Sequence, residues 1–419
     1  MKVVHVTSDV RRGSPSCLVA LLSNTLRSLG LDSSVVTRFV STKLDHVSEL
    51  KFDKSVTARL RRVWRRARIS HATTRPARLR EAYEAFDDCR SQFGADFVQA
   101  LPNCDVISLH FVAGLLDFRS FFKTNTRRTH IVWTLHDMNA FTGGCHYDNH
   151  CGRYKDECGK CPQLGSSRAD DQSRRILREK KSCFEALKDR RIIAVTPSLW
   201  LAKRVRESTV MRDIQVEVIP NGIDTEIFKP YDQALARRVF GIPIDRKVIL
   251  FVAQSLSNRR KGFQYLVEAV RRLYDDKNMY LISIGACAPE KVLPVPHYSL
   301  GMITLPGIMA LAYSAADVFV MPSIQDNLPT TILESIACGT PVIGFDVGGI
   351  PEMVRDDLSG IVVRRHDSGA LADSIYRLLN DDQNRKHMRA TCRSLAEHEY
   401  TVKLQARRYK ELYERLILQ

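Results

Sequence analysis

Residues 321–354 read MPSIQDNLPTTILESIACGTPVIGFDVGGIPEMV, and the rest of the chain is parsed outward from this stretch. An apolar run closes at Met321 and Pro322, a short polar loop follows, and a helix is predicted to begin near Pro329 or Thr330. Free N–H groups at such a helix start form an anion site, suited to a nucleotide diphosphate. Asp326 stands in the loop and Glu334 inside the helix. Two carboxylates so spaced can lie along one extended ligand and take the hydroxyls of a sugar and a ribose.

The unit is one of many. The runs VVHVT (3–7), SSVVTRF (33–39), DVISLHF (105–111), IVWTLHD (131–137) and IIAVTPS (192–198) form one series. A second comprises VILFVAQ (248–254), YLISIG (280–285), DVFVMPS (317–323), PVIGFD (341–346) and GIVVRR (360–365). Their nearly continuous apolar character indicates strands buried on both faces of a parallel sheet. Helical patterns such as 17–30, 263–276 and 330–339 separate them. Two βα series in 419 residues predict two doubly wound α/β domains facing across a cleft. The turn residues Pro220, Asn221 and Gly222 and the closing Pro230 place the join at 218–230.

Hydrophobic content of 44% with 8% aromatics is that of a globular protein. The opening MKVVHVTSD enters a strand directly and no apolar run is long enough for a span, so neither a leader nor a transmembrane helix is expected. The eleven cysteines are accordingly expected to be reduced. Net charge is +16, and nine arginines with no acid fall between Thr57 and Arg80. Such a patch suits phosphates: nucleic acid, anionic lipid or a pyrophosphate-linked acceptor.

The segment Asp326-Asn327-Leu328-Pro329 followed by Leu333-Glu334-Ser335-Ile336-Ala337-Cys338-Gly339-Thr340-Pro341 closely resembles the group 1 (family 4) retaining glycosyltransferases. Further landmarks are Thr196-Pro197-Ser198, Ile219-Pro220-Asn221-Gly222-Ile223-Asp224 with Phe228 and Pro230, Lys261-Gly262, and Ala315 to Ser323. The resemblance covers nearly the whole chain. It implies two Rossmann-like domains in the GT-B arrangement, with a final helix crossing back to the first domain. The expected boundaries are 1–217 for an acceptor-side domain, 218–230 for the connection, 231–395 for a nucleotide-sugar domain and 396–419 for the returning helix.

The same resemblance implies roles. His136, Asp326 and Glu334 are the expected catalytic residues, with His136 positioning the donor and stabilising developing charge. Donor contacts are expected from Lys261, Arg259, Arg260, Asn327, Leu328, Thr330 and Thr331, with Gly13 and Ser14 in the loop after the first strand. The donor that the resemblance implies is a UDP- or GDP-sugar. No Asp-x-Asp motif stands where a donor-binding magnesium would need it, so transfer without a catalytic metal is expected. Two departures matter: Asp326 replaces the usual glutamate, and Gln254 occupies the likely place of an arginine, leaving Arg259 or Arg260 to take over.

Two features lie outside that pattern. Leu60, Val63, Trp64 and Ala67 make one apolar helical stripe flanked by arginines, as in an interfacial helix. Arg61, Arg62, Trp64, Arg65 and Arg66 are therefore expected to face an anionic membrane, placing the protein peripherally on the inner face of the cell membrane. Cys145, Cys151, Cys158 and Cys161, in an insert at 143–164, have spacing compatible with a closed structural zinc site, with disulfides or unligated thiols as alternatives. Similar inserts occur in bacterial polysaccharide-building members of the group. The implied function is sugar transfer to a glycan or lipid-linked acceptor in surface polysaccharide synthesis, including lipopolysaccharide. The rivals are a zinc-dependent nucleic-acid-binding protein and a degenerate transferase acting as scaffold. No basic recognition element adjoins the cysteines, so nucleic acid is not an expected partner.

Overall fold

The computed structural model describes residues 1–11, 16–41, 44–124, 129–187, 192–273, 278–287, 293 and 295–418. The chain divides into two compact units, Met1–Pro220 with Ala406–Gln419, and Asn221–Gln405. Each carries one wholly parallel sheet, as the buried apolar runs require.

The first sheet comprises β1 (Lys2–Thr7), β2 (Asp32–Thr37), β3 (Val47–Glu49), β4 (Val106–Leu109), β5 (His130–Thr134), β6 (Ile192–Thr196) and β7 (Gln215–Val218). Their order is β3-β2-β1-β4-β5-β6-β7. The second comprises β8 (Lys247–Ser255), β9 (Met279–Ala286), β10 (His297–Ser299), β11 (Val318–Met321), β12 (Val342–Phe345) and β13 (Gly360–Val363), in the order β10-β9-β8-β11-β12-β13. Both are doubly wound, and the order reverses between β1 and β4 in one and between β8 and β11 in the other. Loops at the carboxyl ends of strands beside such a switch point are where open α/β sheets hold ligands.

Three strands escape the apolar reading: β3 (VSE), β7 (QVEV) and β10 (HYS). All lie at sheet edges, where one flank needs no apolar cover and the sequence stays polar.

The helix Val402–Ile417 carries Tyr409, Leu412, Tyr413 and Leu416, all buried in one cluster with Val3, Leu22, Leu26, Val106 and Val132 of the first unit. Each such side chain contributes about 1.5–3 kcal/mol by leaving water. The two tyrosines also bond through their hydroxyls, Tyr409 with Thr134 Oγ1 (2.7 Å) and Tyr413 to Ser108 Oγ (3.0 Å). No helix of the described residues is long and apolar enough to cross a membrane.

Candidate active site

In the second unit, the loops after β8 and β11 meet. Asn258 Oδ1 accepts from the Arg260 N–H (3.0 Å) and opens the single turn Arg259–Lys261. Arg260 O then accepts from Ile324 N–H (2.9 Å), and an Arg260 guanidinium nitrogen donates to Gln325 O (2.8 Å). Two glycines let the backbones approach this closely. A Cβ on Gly262 (φ 75°) would lie 1.8 Å from Pro322 O, and one on Gly348 (φ 61°) 1.6 Å from Asp326 O. Neither spacing admits any side chain.

The result is a buried ion cluster. Asp326 Oδ2 lies 2.6 Å from Lys261 Nζ and 3.0 Å from an Arg260 guanidinium nitrogen. Burial would raise the Asp326 carboxyl, but Arg260 and Lys261 outweigh it and hold it well below the usual carboxylate range. Of the two candidate arginines, Arg260 enters the cluster, while Arg259 and Gln254 are exposed. Asn327 and Leu328 are buried in the same loop, and Thr330 and Thr331 open the helix Thr330–Ala337 half-exposed.

Glu334, about one turn into that helix, has the opposite environment. Its Oε2 accepts from Tyr313 OH (2.9 Å) and no cation pairs with it among the described residues. Burial pushes the Glu334 carboxyl up to about 7, with the Tyr313 bond opposing. The two acids are therefore unlike: one is a fixed anion, the other titrates near neutrality.

In the first unit, His136 follows β5 and is half-buried. The Phe111 ring stacks on it, with centroids 3.8 Å apart and planes 8° from parallel. Phe111 follows β4 with φ 43°, an uncommon backbone for a bulky side chain, and this places its ring over the histidine. Burial lowers His136 to about 4, so the ring is neutral at physiological pH, a hydrogen-bonding group and not a cation. No periodicity announced Phe111; only the run DVISLHF hinted at the position. Gly13 and Ser14 lie outside the described residues.

The cysteine insert is stitched by hydrogen bonds. Thr142 Oγ1 donates to Cys145 O (2.6 Å), Asp171 Oδ2 accepts from Cys161 N–H (2.8 Å), and Arg174 Nε donates to Cys158 O (2.9 Å). Buried Lys180 donates to the carbonyls of Asn139 and Thr142. Cys145, Cys151, Cys158 and Cys161 line one cavity of ≈ 20 Å³. Yet no group of three or more His, Cys, Asp or Glu side chains among the described residues is placed to hold a metal ion, and no disulfide forms. The structure thus does not support the expected zinc site. Burial pushes the Cys145, Cys158 and Cys161 thiols up, as in packed, protonated side chains.

What ties the insert to the strand end is His146. Its Nδ1 lies 2.7 Å from Asp137 Oδ2 and its Nε2 2.8 Å from Asp87 Oδ2. Burial alone would lower it, but Asp137 and Asp87 raise it to about 10, making it an imidazolium at neutral pH. Asp137 adjoins His136, so the insert grips the residue next to the candidate catalytic ring.

The arginine helix Val56–Ala72 is inverted relative to a simple reading of its charge. Its inward line is Ala58, Arg62, Arg65 and Ile69. Arg62 reaches Asp96 (3.4 Å) and Asp53 O (2.6 Å), and Arg65 reaches Asp117 (2.6 Å) and Ser91 O (3.0 Å). Arg62 and Arg65 are thus anchors, a correction to their expected membrane-facing placement, and Arg61 also pairs with Asp96 (3.0 Å). The apolar stripe faces outward: Val56 is 71%, Leu60 64%, Val63 66% and Trp64 59% exposed. Arg66 is exposed on the same helix, and Arg68 lies over the Trp64 ring at 4.6 Å.

Comparison with known proteins places these features. Residues 246–381 match the model of a family described as "Glycosyl transferases group 1". A D-inositol 3-phosphate glycosyltransferase of Corynebacterium glutamicum is 32% identical over 192 residues, covering 42% of this chain and 46% of that protein. The chain thus spans about half the length of the curated relatives it matches. In fold it is similar over its whole length to a sucrose-phosphate synthase of Thermosynechococcus elongatus, with a TM-score of 0.70, 19% identity and 100% of both chains covered. It is also similar to Anabaena HepE, solved with UDP-glucose, with a TM-score of 0.65, 14% identity and 99% of both chains covered. These likenesses are of two-sheet glycosyltransferase folds.

Proposed function

From the match of residues 246–381 to the group 1 glycosyltransferases, we propose that this chain transfers a sugar from a nucleotide-sugar donor with retention of anomeric configuration. The observation that carries the reading is the cluster at Asp326, where two cations surround one carboxylate and leave a positive surplus at a helix start. That surplus suits a departing diphosphate, stabilised by Lys261, Arg260 and the N–H groups near Thr330 and Thr331. Asp326 takes hydroxyls of the sugar and Glu334 those of the ribose. His136 donates a hydrogen bond near the transferred sugar and forms no covalent intermediate. Chain cations supply the charge stabilisation, so no catalytic metal is needed. A UDP-sugar donor is supported by the fold likeness to the protein solved with UDP-glucose.

The acceptor in this reading is a glycan or lipid-linked oligosaccharide of a bacterial surface polysaccharide. The protein docks peripherally at the cytoplasmic membrane face through Val56, Leu60, Val63 and Trp64, which stand exposed on one helix. A soluble phosphorylated polyol is the second acceptor reading, favoured by the name of the matched relatives.

Thermal-shift screening against UDP-, GDP- and ADP-sugars, then product analysis by NMR, identifies donor and anomer. Nucleotide release unchanged in a Glu334→Gln, His136→Ala double variant would discredit the assignment. For docking, changing Leu60, Val63 and Trp64 to Ser should abolish sedimentation with anionic liposomes. Undiminished sedimentation would sink the membrane reading.

A further inference from the structure

We infer that His110 is a positioning residue for His136: buried hydrogen bonds running from Tyr413 and His5 through His110 fix the tautomer that His136 presents. The inference rests on the reading of His136 as an active-site residue, and every group in it belongs to the first unit.

Tyr413 OH donates to Ser108 Oγ (3.0 Å), and Ser108 Oγ lies 3.0 Å from His110 Nε2. His5 Nδ1 lies 3.2 Å from the same Nε2. On the other side of the ring, His110 Nδ1 lies 3.3 Å from His136 Nε2. His5, Ser108 and His110 are all buried. Burial lowers His5 to about 3 and His110 well below its ordinary value, so these rings, like His136, are neutral near pH 7.

A neutral imidazole has one N–H, so the row can run in only two senses. If His110 held its proton on Nε2, that N–H would point at His5 Nδ1 and at a serine oxygen already accepting from Tyr413. His5 would then have to hold its own proton on Nε2. That atom is buried and finds no partner, and a buried N–H so stranded is among the rarest features of a folded protein. The opposite sense strands only a lone pair, which is tolerated better. Ser108 O–H and His5 Nδ1–H then both donate to His110 Nε2, and His110 Nδ1–H donates to His136 Nε2. His136 is left protonated on Nδ1.

The consequence is chemical. With its Nε2 lone pair engaged by His110, His136 acts through an N–H edge, as a hydrogen-bond donor and not as a base. A partner behind the ring sets which nitrogen faces the chemistry. Tyr409 is an internal control, because it sits on the same helix, is equally buried, and bonds to Thr134 outside the row.

Long-range proton–nitrogen NMR of histidine-labelled protein reads the tautomer without substrate, with His136 assigned from the signals lost in His136→Asn. The wild type should show His136 in the Nδ1–H form. His110→Phe should shift its tautomer ratio toward Nε2–H by roughly fivefold, the worth of one net hydrogen bond. His5→Phe with Ser108→Ala, a second route that spares the His110 packing, should shift it the same way. Tyr409→Phe should leave it in place. In turnover with the donor, His110→Phe should lower kcat by roughly tenfold with donor KM held, and His110→Gln, whose amide can accept and donate, should restore part of it. A wild-type His136 held as Nε2–H, or a ratio unmoved by both the His110→Phe and the His5→Phe, Ser108→Ala variants, overturns the inference while the transferase reading stands. Absence of any sugar transfer would sink that reading and leave the spectra to judge the row.

Discussion

Beside its candidate functional residues, each unit holds a charged side chain between two of opposite sign, and the signs are exchanged. In the second unit a carboxylate, Asp326, lies between Lys261 and Arg260. In the first an imidazolium, His146, lies between Asp137 and Asp87. Both depend on burial that strengthens the pairing, yet they leave opposite surpluses. The first cluster closes a loop onto a strand end, and its charges serve structure. The second sets two cations against one carboxylate beside a switch point, the positive surplus that the proposed function assigns to an anionic ligand. The same electrostatics thus fastens in one place and, in the proposed function, recruits in the other.

The largest way to break this comparison is Lys261→Ala. Removing that cation should cut transfer by about 10²–10³-fold, while Arg260 keeps Asp326 paired and the melting temperature moves little. Wild-type turnover in that variant would mean the surplus has no ligand. The fastening cluster should respond in stability instead: His146→Gln should cost about 2 kcal/mol, discounted because Asp87 is partly exposed. The sign of its pH dependence follows from the raised folded value of about 10. His146 contributes fully below its unfolded value near 6.5, and the contribution drains away as pH rises through about 10. Thermal melts from pH 6 to pH 10 should lose this slope in His146→Gln. The smallest effect expected is none: a strong chelator should leave the melting curve unmoved, since hydrogen bonds and His146 hold the insert. A chelator-induced fall would restore a metal to that role.

How much of this could be read from residues alone divides along a physical line. The two sheets were legible because strands buried on both faces are apolar throughout, and only the polar edge strands β3, β7 and β10 slipped past. The candidate acid pair, Lys261 and the strand-end His136 were singled out through the resemblance that the motif around Glu334 carries. Partnerships between distant residues were not. Arg62 and Arg65 look like solvent-facing charges until Asp96 and Asp117 are brought beneath them. His146 has no evident partner in its own segment beyond Asp137 until Asp87, far back in the chain, closes on it. A periodic pattern reports which face of its own element is apolar; it carries nothing about which distant charge will be waiting there. The Val56–Ala72 helix shows the cost of that blindness, since two of its arginines, Arg62 and Arg65, turn inward and its tryptophan outward.

The helix Val402–Ile417 carries a further consequence, for synthesis. Its Tyr409, Leu412, Tyr413 and Leu416 seal one face of a sheet whose first strand begins at Lys2. Between Pro220 and Ala406 the ribosome must make the whole of the second unit, residues 221–405. At about 5–20 residues per second this leaves the earlier sheet unsealed for roughly 10–40 s. Throughout that interval Val3, Leu22, Val106 and Val132 await their cover, an apolar face open to water or to wrong partners until the last residues are made.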